Sequence, residues 1–431
     1  MNPTQAIKRP LILSFRLTLA GLLGASLLGA CDSGDDLDDD GQERAATTPD
    51  AMIRAADDAM LASLEYEPSP QKFEYIGRLD DGSAAAYLTR AAAEPPVRTP
   101  SGNDEDGGAD LVDVFTRDGR AYRQRPGTEA HYTSRISRIG DEQIAPDQGN
   151  GEDTEGVDSL TFRELITDGV DNRSRTSTNN AQGVMVRIGS SSTSTGVRCS
   201  ASMIAPRVFL TAAHCVTDSN GNVSFANADW VLPSARGRSY SGGNTAMDAT
   251  DAPWGARYVT RVLRPVGWVS NRGPRFDYAV MIIGDHMPDT SGNVQWNPAP
   301  AVFSTNSCSE LEGDGVNLRG YPGRTKTCAD ASTEDGTQCG GYAYTEHDPI
   351  QDCDDDAIYY DHDSQEGQSG SPVYRFDPAT GIRNVVGINK GTASGGTRNY
   401  GHRIRTGSYG FICSAVEDPS NASSYFDNPS C

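Results

Sequence analysis

The spacing of apolar residues divides the chain into two regions with different patterns. Residues 51–66, AMIRAADDAMLASLEY, carry apolar side chains at intervals of three and four, which predicts an amphipathic helix. The stretches FEYIGRL, from Phe73, and AAAYLTR lie on either side of the turn sequence Asp80-Asp81-Gly82 and predict the two strands of a hairpin. We expect residues 51–164, which contain no cysteine, to form a small α+β region.

From about residue 165 the pattern changes to short apolar runs separated by clusters of Gly, Asn, Asp and Ser. No long helical period interrupts these runs, which are GVMVRIG, VFLTAAH, DYAVMII, DAIYY and NVVGIN. Apolar runs of strand length between turn sequences are typical of an antiparallel sandwich or barrel. Residues 165–431 therefore predict an all-β domain that is long enough for two packed barrels.

The N-terminus has the features of an export signal. A basic segment with Lys8, Arg9 and Arg16 precedes the apolar run Leu17 to Ala30, which is shorter than the roughly 20 residues that span a bilayer. Residues 1–30 are therefore predicted to be a signal peptide. The end of this run, LGAC, resembles the lipobox of bacterial lipoproteins, which implies a lipid on Cys31. The alternative is an ordinary secretory signal followed by a chance cysteine.

The cysteines agree with export. The chain has nine cysteines, and the eight other than Cys31 all lie in its C-terminal part. In an exported protein this even number predicts up to four disulfides. We predict the pair Cys199 with Cys215, which would close a two-strand hairpin. Cys339 with Cys353, and Cys413 with Cys431, are suggested only by their proximity, so the remaining pairing stays open.

The charge excludes some partners. The formal net charge of −22 argues against binding to nucleic acid, which requires basic surfaces. Residues 31–50 include six aspartates between Asp32 and Asp40, whose mutual repulsion predicts a solvated tether. Their spacing does not match a calcium-binding loop. We expect no metal ion, no cofactor and a monomer attached to a membrane through the lipid at Cys31.

Three residues could together perform acyl transfer, which needs a nucleophile, an imidazole base and a buried carboxylate that orients the base. His214 ends the apolar run FLTAAH, and Asp277 begins the apolar run DYAVMII. Ser369 lies in EGQSGSP, where the flanking glycines allow the backbone amides of Gly367 and Ser369 to converge as an oxyanion hole. Ser371 is the other serine of this motif, and we expect it to have a structural role.

The order His214, Asp277, Ser369 differs from the orders in α/β-hydrolases and subtilisin-type enzymes. The motifs TAAHC, DYAVM and GQSGSP, taken in this order, resemble those of the chymotrypsin-like serine peptidases. Within that family the sequence is most similar to the bacterial glutamyl endopeptidase branch. The sequences DNR before TSTN, IYYD before GQSGSPVY, and VGI before NYG carry this second resemblance. It extends from about Leu165 to Cys413 and implies a double six-stranded antiparallel β-barrel that hydrolyses proteins or peptides through an acyl-enzyme.

The resemblance also implies a pocket for the substrate side chain. Ser364 matches a hydroxyl residue that helps to bind a substrate glutamate in the branch, whereas Asn389 replaces the branch's glutamate-binding histidine. Because an asparagine amide carries no charge, a glutamyl-type preference stays open. His402 either lines the same pocket or is an exposed loop histidine.

The role of residues 51–164 has two interpretations, a propeptide or folding aid and a permanent accessory domain. The resemblance implies a processing cut near residues 164–169, which would separate the peptidase domain, residues 165–431, from the lipid at Cys31. Either the N-terminal region stays associated, or anchoring ends with processing, or no cut occurs. Two other functions are an inactive peptidase homologue that acts as an envelope-anchored binding module, and a protein whose N-terminal region is the functional part while the peptidase acts only on itself.

Overall fold

The structure is a computed structural model whose described residues lie between residues 66 and 431. The described residues are 66–93, 110–129, 173–175, 182–188, 195–205, 207–225, 230–233, 257–284, 301–322, 343–365, 367–392, 398–418 and 431. The predicted signal peptide, Cys31, the acidic tether, and the helix predicted over 51–66 apart from Tyr66 lie outside these residues. None of the described helices is long and apolar enough to cross a membrane.

Strands dominate the described residues. They are β1 (Phe73–Arg78), β2 (Val112–Thr116), β3 (Arg120–Gln124), β4 (Ser174–Arg175), β5 (Gln182–Ile188), β6 (Thr195–Ala205), β7 (Val208–Thr211), β8 (Trp230–Pro233), β9 (Arg257–Pro265), β10 (Ala279–Ile283), β11 (Val302–Phe303), β12 (Gly315–Gly320), β13 (Tyr344–Cys353), β14 (Ala357–Tyr360), β15 (Pro372–Asp377), β16 (Ile382–Thr392) and β17 (Asn399–Arg403). The α-helices are α1 (Ser83–Ala93), α2 (Ala213–Val216), α3 (Cys308–Leu311) and α4 (Thr406–Glu417), and residues Val266–Val269 and Pro274–Phe276 form short 3₁₀ helices.

The first sheet is antiparallel in the order β1-β3-β2-β9-β10-β7-β6-β5-β8. An additional pairing of β8 with β9 closes the six strands β5 to β10 into a barrel. Every residue of β7 and β10 is buried, which explains why their sequences, VFLT and AVMII, are apolar except for Thr211 rather than alternating.

The second sheet runs in the order β11-β16-β15-β12-β13-β14-β17, with β4 paired to β13. Here the pairing of β16 with β17 closes the six strands β12 to β17. Among the described strands of this sheet, β11 is the only one that runs parallel to its neighbour, β16. The predicted double six-stranded antiparallel β-barrel is therefore confirmed.

The predicted hairpin is wrong in its second strand. AAAYLTR lies in helix α1, and the partner of β1 is β3. Three alanines favour a helix, and the Asp81 carboxylate accepts a hydrogen bond from the Ser83 amide at 2.8 Å where the helix begins. The helix buries Ala84 and Leu88, which lie one turn apart, so tertiary packing supports the same choice.

Helix α4 was not predicted from the sequence. Its segment, TGSYGFICSAVE, contains two glycines and is buried on nearly all sides, including Tyr409, Phe411 and Ile412. A helix that is buried all round lacks the apolar stripe by which an amphipathic helix is recognised.

Three disulfides join described residues. The predicted pair Cys199–Cys215 is present, with an S–S distance of 2.01 Å. Cys353 pairs with Cys308 rather than with Cys339, because α3 begins beside the end of β13. Cys413 pairs with Cys431. Cys328 and Cys339 lie outside the described residues.

Candidate active site

His214 is the second residue of the short helix α2, which directly follows the buried strand β7. The neighbouring Cys215 is bonded to Cys199 of strand β6, so a covalent link holds the helix against the barrel. The His214 side chain is 33% exposed, which leaves one edge of the imidazole accessible to a substrate.

Asp277 is fully buried between the 3₁₀ turn Pro274–Phe276 and strand β10. The His214 Nδ1–H group lies 2.9 Å from Asp277 Oδ2, and the His214 backbone amide donates to Oδ1 at 3.0 Å. Burial alone would raise the pKa of Asp277, but the charge and hydrogen bonds of His214, with help from the Lys390 ammonium, lower it to about 2. The ionised carboxylate therefore holds the proton on Nδ1 and leaves Nε2 as the basic nitrogen.

The loop that carries Ser369 belongs to the second barrel and packs against the first. The Ser200 amide of strand β6 donates to the Ser369 carbonyl oxygen at 2.7 Å, and the Ser200 hydroxyl donates to the Gly367 carbonyl oxygen at 3.0 Å. At Gly370, where φ is +82°, a β-carbon would overlap Thr211 Oγ1 and the Ser200 carbonyl oxygen. This close approach sets the loop beside the segment that leads from β7 to His214.

Lys390, in strand β16, connects the two halves of the site. Its Nζ lies 3.1 Å from Asp277 Oδ2, and its carbonyl oxygen accepts a hydrogen bond from the Ser369 hydroxyl at 3.1 Å. Ser369 and His214 are both described, and no hydrogen bond joins them. In unliganded catalytic sites such bonds are commonly long and tighten only when the substrate binds.

Two backbone amides in the Ser369 loop are free. Among the described residues, the Gly367 and Ser369 amides donate no hydrogen bond. The amides between and after them are engaged: Gln368 donates to the Gln365 carbonyl at 2.9 Å, and Gly370 donates to the Asn389 carbonyl at 2.8 Å. The two positions predicted for an oxyanion hole therefore hold unused donors.

Arg173 supports this loop in a way that the sequence did not predict. Its guanidinium is buried, and Nη1 donates to the side-chain oxygen of Gln368, the residue before Ser369, at 2.5 Å. The same oxygen accepts the Gln365 amide at 2.9 Å. The only sequence signal is that Arg173 lies in the DNR motif of the family resemblance.

Buried acidic groups lie near Arg173. Burial, followed by the charge of Asp363, raises the pKa of Glu346 to about 8, and the Arg173 charge partly opposes this rise. The Asp363 amide donates to Glu346 Oε2 at 2.5 Å. At neutral pH Glu346 is therefore mostly protonated and adds little negative charge to the region before Ser364.

The residues predicted to bind the substrate side chain are all buried. The Asn389 amide group donates to Ser364 Oγ at 3.0 Å and to the Gln368 carbonyl oxygen at 2.9 Å, and its oxygen accepts the Tyr360 hydroxyl at 2.7 Å. Both Ser364 and Asn389 are almost completely inaccessible. The Asn389 side chain thus joins strand β16 to the Ser369 loop.

His402 is fully buried, so the interpretation of an exposed loop histidine is wrong. Its ring stacks on Tyr278 at 4.5 Å between centroids, and its Nδ1–H donates to the Pro274 carbonyl oxygen at 2.9 Å. Burial, with the charge of Arg405 as the second cause, lowers the pKa of His402 to about 3. The imidazole is therefore neutral at physiological pH.

Comparison with known proteins agrees with this architecture. A family model described as Trypsin matches residues 171–409. The glutamyl endopeptidase of Bacillus licheniformis is 29% identical over 210 residues, which are 48% of this chain and 55% of that protein, so the chain spans about half the length of that relative. An extracellular metalloprotease of Bacillus subtilis is 24% identical over 291 residues, which are 64% of this chain and 81% of that protein.

A solved structure of a Glu endopeptidase in complex with MPD is 22% identical, with a TM-score of 0.43, and the match covers 58% of this chain and 99% of that one. The family match spans more than half of this chain and includes His214, Asp277 and Ser369. This chain therefore belongs to the trypsin family of serine peptidases.

Proposed function

We propose that the protein is a serine endopeptidase that cleaves proteins or peptides through an acyl-enzyme on Ser369. The observation that carries this proposal is the His214–Asp277 hydrogen bond at 2.9 Å, beside a loop that presents Ser369 and two free amides. His214 and Asp277 have an arrangement suited to general base catalysis, because a buried carboxylate fixes the tautomer of the imidazole.

The steps follow from these positions. Ser369 Oγ attacks the substrate carbonyl carbon while His214 Nε2 takes the hydroxyl proton, and the oxyanion accepts hydrogen bonds from the Gly367 and Ser369 amides. Each such donor contributes about 3 to 4 kcal/mol in the transition state. His214 then gives the proton to the leaving amine, and water hydrolyses the acyl-enzyme by the same route. Asp277 stays ionised throughout, in keeping with its pKa of about 2.

A glutamyl-type preference is a finer proposal that rests on Ser364 and on the name of the relative, a glutamyl endopeptidase. Asn389 has no charge and is fully engaged, and His402 is neutral. The Asp363 carboxylate, which is buried directly before Ser364 in the chain, offers no positive charge either. We therefore propose that any preference for glutamate depends on neutral hydrogen bonds.

Paired peptides test this specificity. With glutamate or glutamine before the scissile bond, we expect kcat/KM values within roughly tenfold of each other, which corresponds to about 1.4 kcal/mol. A preference for glutamate of more than a hundredfold would require a cationic partner and would contradict the proposal.

We propose that the protein is exported and held at the cell envelope, in the periplasm or on the cell surface, through a lipid on Cys31, as a monomer and without a nucleic-acid partner. The disulfides of the peptidase domain agree with an oxidising compartment. The alternative of an inactive binding module is not favoured, because such a module has no need for the His214–Asp277 pair or for free amides beside Ser369.

The activity is tested by digestion of a protein substrate such as casein with the full chain. Ser369→Ala should abolish cleavage. Ser371→Ala is the matched control, because the Ser371 hydroxyl is buried and has no hydrogen-bond partner among the described residues. We expect Ser371→Ala to cleave like the wild type. Cleavage that persists in Ser369→Ala but disappears in folded Ser371→Ala would overturn the assignment of the nucleophile.

A further inference from the structure

The N-terminal region and the first barrel share one sheet. Strand β2 pairs with β9 over five residues, Val112 to Thr116, opposite Pro265 to Arg261. Strand β9 is bordered by β10 on one side, and on the other by β8 at its beginning and by β2 at its end. Without β2, the second half of β9 would expose an unpaired strand edge, with polar backbone groups that need partners.

The apolar residues of the two parts also form one core. Val114 and Phe115 of β2, together with Ile76 and Leu88, belong to the same buried cluster as the strands of the first barrel. In this cluster Phe115 is completely inaccessible. Separation would therefore expose apolar surface on both parts, which is unfavourable in water.

A buried ion pair crosses the same boundary. Asp113 of β2 and Arg264 of β9 are both fully buried, and Arg264 Nη2 lies 2.8 Å from Asp113 Oδ2. Arg123 of β3 donates to both oxygens of Asp113, at 2.8 and 3.0 Å. Removal of β2 would leave the Arg264 guanidinium beside the barrel without its carboxylate, so the ion pair favours the joined state.

Asp110, just before β2, reaches the back of the candidate active site. Its carboxylate accepts hydrogen bonds from the Tyr278 hydroxyl and from Arg405 Nη2, the latter at 2.7 Å. Its backbone amide donates to the Gly407 carbonyl oxygen at 3.0 Å. Tyr278 directly follows Asp277 in the chain, so this carboxylate anchors the segment that presents the partner of His214.

We propose that residues 66–129 are a permanent part of the peptidase rather than a segment that leaves it, and that Asp110 is a positioning residue for the segment that carries Asp277. A processing cut after residue 129 would then produce a two-chain protein. Because Cys31 precedes residue 66, such a protein would keep its peptidase domain attached to the anchor. The positioning role of Asp110 rests on the proposed function, whereas the association of residues 66–129 with the peptidase domain does not.

The association is tested by placing the recognition sequence of a site-specific protease between residues 150 and 160 of the full chain, cutting it, and separating the product under native conditions. We expect both fragments to elute together and to separate only in denaturant. A C-terminal fragment that elutes alone and keeps its fold would overturn the proposal. This result does not depend on activity, so it stands even if the protein is not a peptidase.

The positioning role is tested with Asp110→Asn, with Asp80→Asn as control, since Asp80 is 62% exposed and pairs only with Arg78 in the described residues. We expect Asp110→Asn to lower kcat about tenfold with little change in KM, and Asp110→Glu to recover part of the loss. The control should match the wild type. An unchanged kcat in Asp110→Asn, or a loss that appears only as reduced thermal stability, would contradict the positioning role.

Discussion

The two halves of the candidate active site are held in place by different physical means. His214 and Asp277 are attached to fully buried strands, and a disulfide fixes the helix that carries His214. The Ser369 loop instead depends on polar contacts, chiefly the Gln368 side chain with Arg173 and the Asn389 side chain with Ser364. The first half uses packing and a covalent bond, and the second uses buried hydrogen bonds.

This difference predicts how each half responds to substitution. Apolar packing tolerates changes that keep its volume, whereas a buried polar network fails when one member loses its partner. Conservative changes around Ser369 should therefore reduce turnover. In the His214–Asp277 half only the polar groups, which include Asp110 behind Tyr278, should be sensitive.

The largest effect is expected within the first half. Asp277→Asn keeps the shape of the side chain but cannot hold the proton on His214 Nδ1, and loss of the correct tautomer reduces kcat about 10⁴-fold in such triads. Steady-state kinetics on a peptide substrate measure this change, with circular dichroism to check the fold. A loss of less than tenfold would mean that Asp277 does not orient the base.

The next effect tests the contact between the halves. Gly370→Ala should reduce activity about a hundredfold or more, because its β-carbon would overlap Thr211 and Ser200 and because φ is +82°. Gly381→Ala is a matched control: φ there is +71°, but a β-carbon meets no atom within 4 Å. We expect Gly381→Ala to lose about 1 kcal/mol of stability and no activity. Equal activity losses in the two variants would show that backbone strain, not the contact, is the cause.

The polar support of the second half is tested by Arg173→Met. Loss of the guanidinium frees the Gln368 side chain and loosens the neighbouring amides, so kcat should fall about 10- to 100-fold with little change in KM. Arg383→Met is the control, since Arg383 is a partly exposed residue of strand β16. An effect confined to KM would assign Arg173 to substrate binding instead.

The smallest effect concerns the pH dependence of stability. Glu346 has a pKa of about 8 in the folded chain, against 4.5 for an ordinary glutamate. Between these values the folded state binds the extra proton, so this group makes the free energy of unfolding fall as pH rises. Glu346→Gln cannot titrate, and its stability relative to wild type should therefore increase from pH 5 to pH 6 by about 1 kcal/mol.

Denaturant titrations of the two proteins at several pH values measure this difference, in which the contributions of titrating groups that do not interact with Glu346 cancel. A relative stability that is constant, or that decreases with pH, would mean that Glu346 has an ordinary pKa.

The two halves also differ in how far the sequence predicted them. His214 and Asp277 lie beside continuous apolar runs, so burial and strand position could be inferred locally, and the Cys199–Cys215 pair followed from the same segment. The bond between Arg173 and Gln368 joins residues that are 195 positions apart, and no local pattern encodes it. For the same reason the sequence identified Asn389 as a candidate pocket residue but did not predict its hydrogen bonds with Tyr360 and Ser364.

Long-range pairing also explains the errors in the N-terminal region. The pattern identified β1 but paired it with AAAYLTR, because sequence neighbours are the first candidates for a hairpin. The join between β2 and β9 depends on contacts such as that of Asp113 with Arg264, which are 151 positions apart. The all-β class could be predicted from the repeated strand pattern, whereas the double six-stranded barrel followed from the family resemblance.

The most direct test of the central claim is to treat the full chain with a fluorophosphonate and to map the modified residue by mass spectrometry. The nucleophile attacks phosphorus as it would a carbonyl carbon, so the account predicts one phosphonyl group on Ser369 and none in Asp277→Asn under the same brief exposure. A modification on Ser371, or no modification of the folded wild-type protein, would contradict the account.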